Sequence, residues 1–433
     1  MAKKKKNKQR QSQAHNMAVL NTKTHIDKTY AAVQKIIRVY GGDPDLLKAL
    51  TKHQRRFLLF LRAEAPRFKV EEGSYVPRHL INFISETVHR IMRMRYLGDE
   101  SIGLTYLELA TYGVAFSSII LAAAEAGESY FSPEQLKAIR LLAPCFENER
   151  VRQDLVYIGG FIHDLVMMLS KLNFRIYGYH WVITEPETGT MRSTVFISSE
   201  ETQSIHFVHK QKERIAFRVC LGRINGRPAK TITIDRNLIF PHKKSFHSVP
   251  LEIYIQSHAL QRAKERIDIF SAHIRNRYVM ESLIYQHLIS NTVSGSPMLE
   301  CGFRHMGLGI IIRFGYFPFI IRDNKLIVMT FLPLTSPDTS EGAYFQEHFG
   351  LQTEDIKFLG MDKLSFFFTV DFEQIPSLKE ALIATNIQNM ITHIKEGMDL
   401  DFSIDQKKTM MVKKFFEEKI NDEAETVYPE TEL

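Results

Sequence analysis

Residues 251–283 read LEIYIQSHALQRAKERIDIFSAHIRNRYVMESL. The first six are rich in Leu, Ile and Tyr, the composition of a strand, and that strand ends at Gln256. Ser257 is placed as the N-cap of a helix, because its hydroxyl can accept an orphan backbone N–H. His258, Arg262 and Arg266 then recur every four residues, which stacks an imidazole and two guanidiniums along one slowly rotating stripe. Ala259, Ala263 and Ile267 form a second stripe about 100° away, narrow and apolar, suited to lie on a sheet. A strand running into a basic-flanked helix, with more helix and strands beyond, predicts an α+β protein.

Working outward from this stretch, the chain divides by its hydrophobic period. Residues 1–22 are a polar basic tail. From 23 to 172 apolar residues recur at i, i+3, i+4 in segments that end in Gly or Pro, which predicts a helical domain. Between 173 and 256 the period falls to two, in FRIYGYHWVIT, MRSTVFIS, SIHFVHK and RIAFRVCLGR, predicting antiparallel sheet. A helix–helix–strand module follows over 257–334, with its second helix at Phe270–Ile289. Its strands are expected near Met298–His305, Leu308–Phe314, Phe317–Arg322 and Lys325–Leu332, with Asp323-Asn324 as a hairpin turn. An α/β extension spans 335–397, with helices near 339–348 and 377–394 and a strand at 364–372, and 398–433 is a peripheral acidic tail.

The chain has 433 residues and a composition of 44% hydrophobic, 24% charged and 11% aromatic residues, which excludes a collagen-like, globally disordered or disulfide-rich protein. The net charge is +7. The basic run at 3–10 and the acidic run at 417–433 carry +6 and −6, so they cancel and read as solvated ends. Cys145, Cys220 and Cys301 are far apart and form no CxxC pair, which suits a reducing, cytoplasmic setting. No apolar stretch follows the basic N-terminus, so no secretory signal is expected there. Residues 102–124 are long enough to span a bilayer but carry Thr, Tyr, Ser and Glu108 and lack basic flanks, so a buried core helix and no membrane are expected.

The chemistry that fits the stripe is RNA recognition or metal-free RNA cleavage. A base takes the 2′-OH proton, an acid protonates the leaving 5′-oxygen, and fixed cations hold the phosphorane. Histidine serves as acid or base near neutrality, and arginine's fork matches phosphate. SHALQRAKERI resembles the opening helix of the RelE/BrnT-like ribonuclease toxins, in which His-x-x-x-Arg-x-x-x-Arg is followed by a second helix and three or four antiparallel strands. The likeness covers residues 257–334. It implies a toxin-like, bacterial-type module in which His258, Arg262 and Arg266 are catalytic or contact RNA. Arg304, Arg313 and Arg322 on the following strands are the candidate phosphate ligands, with Thr330 in the last strand. Lys243 and Lys244, in the loop PHKKSFH, suit the same RNA, because lysines hold phosphates and aromatics stack bases. The expected partner is RNA, with no cofactor, and the helical N-terminal domain offers a surface for a protein partner.

Two other classes fit parts of the sequence. The helix residues also suit a structural role in an interaction protein that keeps the fold alone, with Arg262 and Arg266 pairing with Glu265 or Asp268. His163-Asp164, with His79 and His89, has the residue types of a metal-dependent phosphohydrolase, although a core histidine explains them as well. His206 and His209 are three apart on a strand and point to opposite faces, which argues against a shared metal. No Walker loop, GxGxxG or GxSxG occurs, which disfavours nucleotide-cofactor enzymes and serine hydrolases.

Overall fold

The structure is a computed structural model that describes residues 23–51, 54, 62–113, 117, 131–146, 149–184, 191–240, 249–290, 295–304, 311–397 and 402–427. The fold is mixed α+β. The chain forms two compact units. One comprises Met1–Val166, Tyr177–Glu200 and Gly222–Ala229, and the other Met167–Ile176, Glu201–Leu221 and Lys230–Leu433. The boundaries read from the sequence at 172/173 and 256/257 therefore fall inside units, because pairing partners rather than period changes decide which residues pack together.

In the first unit the predicted helices form as α1 (Lys23–Val39), α2 (Arg78–Met94), α3 (Pro133–Phe146) and most of α4 (Glu149–Leu169). A three-stranded sheet accompanies them, in the order β1 (Arg67–Val70), β3 (Arg192–Glu201), β2 (Arg175–Thr184). β1 lies parallel to β3, with Phe68 opposite Val195, so a segment from the helical region enters the sheet. Glu108, the lone charge in the apolar run, is fully engaged. It closes a capping box with Thr105 and pairs with Lys35 at 2.9 Å. The run forms a short helix and a π-helical turn as far as Gly113, and no helix of the described residues is long and apolar enough to cross a membrane.

The second unit is built on a nine-stranded sheet. Its main strands are β4 (Ser204–His209), β5 (Lys212–Arg218), β6 (Leu251–Gln256), β7 (Leu288–Ser290), β8 (Pro297–Arg304), β9 (Ile311–Arg322) and β10 (Lys325–Val328). The order is β7-β8-β9-β10-β6-β5-β4, with two short strands attached to β6 and β9. β6 is central. It pairs parallel with β10 and antiparallel with β5. Helices α5 (Ser257–Arg266) and α6 (Ala272–Tyr285) lie between β6 and the β7–β10 meander in the chain. The predicted turn at Asp323-Asn324 is present, both residues having positive φ, and Lys210-Gln211 turns the β4–β5 hairpin in the same way. Ile253 and Ile255 of β6 join the main core with Ala259 and Ala263 of α5 and Ile267, which caps its C-terminus. On the other sheet face Tyr254, Phe207, Ala216 and Ile327 form a small second core. Ile320 of β9 and Ile205 of β4 border it, so the sheet curls enough to bring non-neighbouring strands together.

Several local expectations change. Residues 308–310 lie outside the described residues; from Ile311 on, the strands foreseen at Leu308–Phe314 and Phe317–Arg322 are one strand, β9, because Gly315 continues it past Leu332, whose carbonyl would lie 2.1 Å from an added Cβ. α6 is shorter than Phe270–Ile289: Ser271 caps its start, Gln286 ends it in the left-handed region, and residues 288–290 become β7. The strand expected at 364–372 is a helical turn, Phe366–Thr369, whose three consecutive phenylalanines are all buried and so show no period of two. After α7 (Ser340–Phe349) and α8 (Thr353–Leu359), the helix expected at 377–394 is broken at Asn386 into α9 (Pro376–Ala384) and α10 (Ile387–Gly397). The acidic end is not wholly peripheral: α11 (Gln406–Val427) sinks Thr409, Val412 and Phe416 into the core.

Candidate functional site

The His258 region is built by strand order. β6 and β10 are parallel, with Val328 opposite Ile255, so both C-terminal ends meet at one edge of the sheet. There α5 begins directly after Gln256, and residues 329–331 leave β10. Thr330 lies in that exit segment, not within the strand, because β10 stops at Val328. Ser257 is the first helical residue, not the cap. Gln256 holds the cap position with extended backbone and makes no side-chain cap bond.

The buried Ala259–Ala263–Ile267 seam fixes the rotation of α5, which turns His258 to an exposed position. The His258 pKa lies below the ordinary value, first through desolvation and then through the charges of Arg262 and Arg214. Glu265 opposes that shift and Arg266 adds to it slightly. Arg262 donates to Glu265 at 2.9 Å, the helix-surface pair that its spacing allows. Arg266 is largely buried. Its Nη1 donates to the Phe331 carbonyl at 2.7 Å, and its Nε lies 3.7 Å from Asp362, not near Asp268. Asp268 instead accepts from the Ser365 N–H and hydroxyl. Arg266 thus ties α5 to the chain leaving β10.

Arg214, on β5, was not singled out by the sequence. Ala216 is opposite Gln256, so Arg214 sits one further step along the same face, toward His258. Its signal was the alternation Arg214–Ala216–Arg218 in KERIAFR, which is visible only once β5 is known to neighbour β6. Nε of Arg214, Nε of Arg218 and Nε2 of Gln256 are buried without a hydrogen-bond partner among the described residues.

The other candidates are dispersed. Arg304, at the end of β8, lies over the Tyr285 ring at 5.6 Å. Arg313 donates to Glu300 at 3.0 Å, approaches Glu341 at 3.8 Å and lies over Tyr316. Arg322 donates to the Val208 carbonyl at 3.0 Å and lies 3.5 Å from Asp323, at the turn end of the β9–β10 hairpin. These three arginines do not join His258 in one groove. Lys243 and Lys244 lie outside the described residues. His163 and Asp164 are half-buried in α4, and among the described residues no group of three or more His, Cys, Asp or Glu could hold a metal ion. His89 bonds the Pro66 carbonyl at 2.9 Å and packs edge-on against Phe68, a satisfied structural histidine.

No family model, curated protein or solved structure matches the chain. The site offers one exposed imidazole whose pKa lies below the ordinary value, one half-exposed guanidinium, Arg262, and a second, Arg214, from the neighbouring strand.

Proposed function

We propose that the chain is an RNA-directed protein, and that the sheet end carrying His258, Arg262 and Arg214 is its RNA-contacting surface. The supporting observation is that Arg214 of β5 and Arg262 and Arg266 of α5 stand close enough to His258 to act on it electrostatically, with Glu265 as the one acid among them. Clustered guanidiniums suit phosphate oxygens, and an imidazole gains a proton beside them when an anion arrives. The module order of α5, α6 and an antiparallel meander is consistent with the RelE/BrnT-like resemblance, which remains part of this proposal.

Metal-free cleavage by 2′-OH attack needs cations free to follow a developing phosphorane, and Arg266 is committed to the Phe331 carbonyl. The test is fluorescence anisotropy with a single-stranded RNA oligonucleotide at two or more salt concentrations. Wild type should bind, and Arg214→Gln should bind more weakly and lower the salt slope by about one. No binding at low salt, or equal binding by Arg214→Gln and Arg262→Gln, would remove RNA from this surface. Incubation with total RNA in EDTA tests the enzyme directly: cleavage that disappears in His258→Ala would make the protein an endoribonuclease.

A further inference from the structure

The opposite flank of α5 borders a cleft of about 320 Å³, formed with α6 and residues 170–173. Its floor is apolar, from Leu260, Val279 and Met280. Three cations line it: Lys171, Lys264 and Arg275. No aspartate or glutamate does. Lys171 and Lys264 are exposed, and neither has an ion-pair partner among the described residues. Arg275 is held by Nη1 donation to the Ile267 and Phe270 carbonyls at 3.3 and 3.2 Å, which leaves its charge in place beside the cleft. Asp268 is the acid whose charge reaches Arg275, and both its oxygens are occupied by Ser365.

On α5, Lys264 lies across the buried Ala259–Ala263 seam from Arg262, whereas Gln261 is on the exposed face between the two flanks and donates to Glu265, the partner of Arg262. The two regions are therefore separate sites on one helix. The volume falls at the lower end for small-molecule pockets. A cleft lined by apolar side chains and three cations, with no carboxylate, selects a ligand with an apolar or aromatic body and an anionic end.

We infer that this cleft binds a small phosphomonoester bearing an aromatic or apolar group, a nucleoside monophosphate being the model compound. The phosphate lies against Lys171 and Lys264, and the base or apolar body covers Leu260 and Met280. The site is independent of the RNA surface and stands whether or not that surface binds RNA.

The experiment is calorimetric titration of the full chain with adenosine monophosphate, adenosine and inorganic phosphate, at low and moderate salt. Adenosine monophosphate should bind, phosphate should bind more weakly and adenosine should bind least. Lys264→Glu and Lys171→Glu should each weaken adenosine monophosphate at least about tenfold, a loss of 1.4 kcal/mol or more. Both positions are exposed, so folding is preserved, and circular dichroism verifies that. Arg214→Gln should leave this binding unchanged. No binding at millimolar ligand, equal binding of adenosine, or insensitivity to both lysine substitutions would overturn the inference. Loss in Arg214→Gln alone would reassign the ligand to the other flank.

Discussion

At the scale of single residues, His258 and Arg266 show how one stripe can hold two different roles. Partial desolvation of His258 and then the cations around it keep the folded pKa below the unfolded value of about 6.5. Between those two values the unfolded chain binds a proton that the folded chain does not, so this contribution to stability is present above about pH 6.5 and is lost as pH falls through the folded value. Arg214→Gln should raise the His258 pKa, read by NMR titration of the imidazole. His258→Gln should flatten the fall in melting temperature on acidification below about pH 6.5; an unchanged slope would mean that His258 titrates normally. Arg266 acts through its hydrogen bond. Arg266→Met leaves the buried Phe331 carbonyl without its side-chain donor and should cost roughly 1–3 kcal/mol in urea unfolding. Arg262→Ala, which breaks a half-exposed pair, should cost no more than about 1 kcal/mol. The i, i+4 spacing was legible in the sequence. Which arginine would be buried was not, because that depends on Phe331 and Asp362, respectively 65 and 96 residues away.

At the scale of elements, the amphipathic helices and the Asp323-Asn324 hairpin were readable, because their signals are local: period and turn chemistry. Elements without a period were misread. The Phe366–Thr369 turn is apolar on every side, and α11 looked like a charged tail although Thr409, Val412 and Phe416 form a buried stripe. Phe416 meets Phe349 edge-on at 5.0 Å, which anchors α11 to α7. Phe416→Ala should therefore destabilise the second unit by about 3–5 kcal/mol, measured by denaturant unfolding. An effect near zero would return α11 to the periphery. Gly315 is the clearest case of a strand glycine required by close approach. Gly315→Ala drives a Cβ toward the Leu332 carbonyl and should cost about 1–3 kcal/mol by the same measurement.

At the scale of the whole molecule, the single tryptophan, Trp181, lies in the first unit and donates to Ser193 at 2.8 Å. It reports on that unit alone, whereas far-UV circular dichroism reports on both. With Phe416→Ala, the circular dichroism transition should broaden to lower denaturant while the Trp181 midpoint stays within error; coincident shifts would mean that the units unfold as one. The α+β class, the helical start, the change of period near 173 and the basic stripe beginning at His258 were determined by the sequence itself, since each follows from residues within a few turns of one another. Tertiary structure alone decided that β6 lies between β10 and β5, that Arg214 therefore stands beside His258, and that Arg266 serves the Phe331 carbonyl. It also decided that α5 has two flanks, one facing Arg214, the other bordering the cleft lined by Lys171, Lys264 and Arg275. The physical reason is that strand pairing and burial join residues far apart in the chain, and no local period encodes which distant partner a side chain will meet.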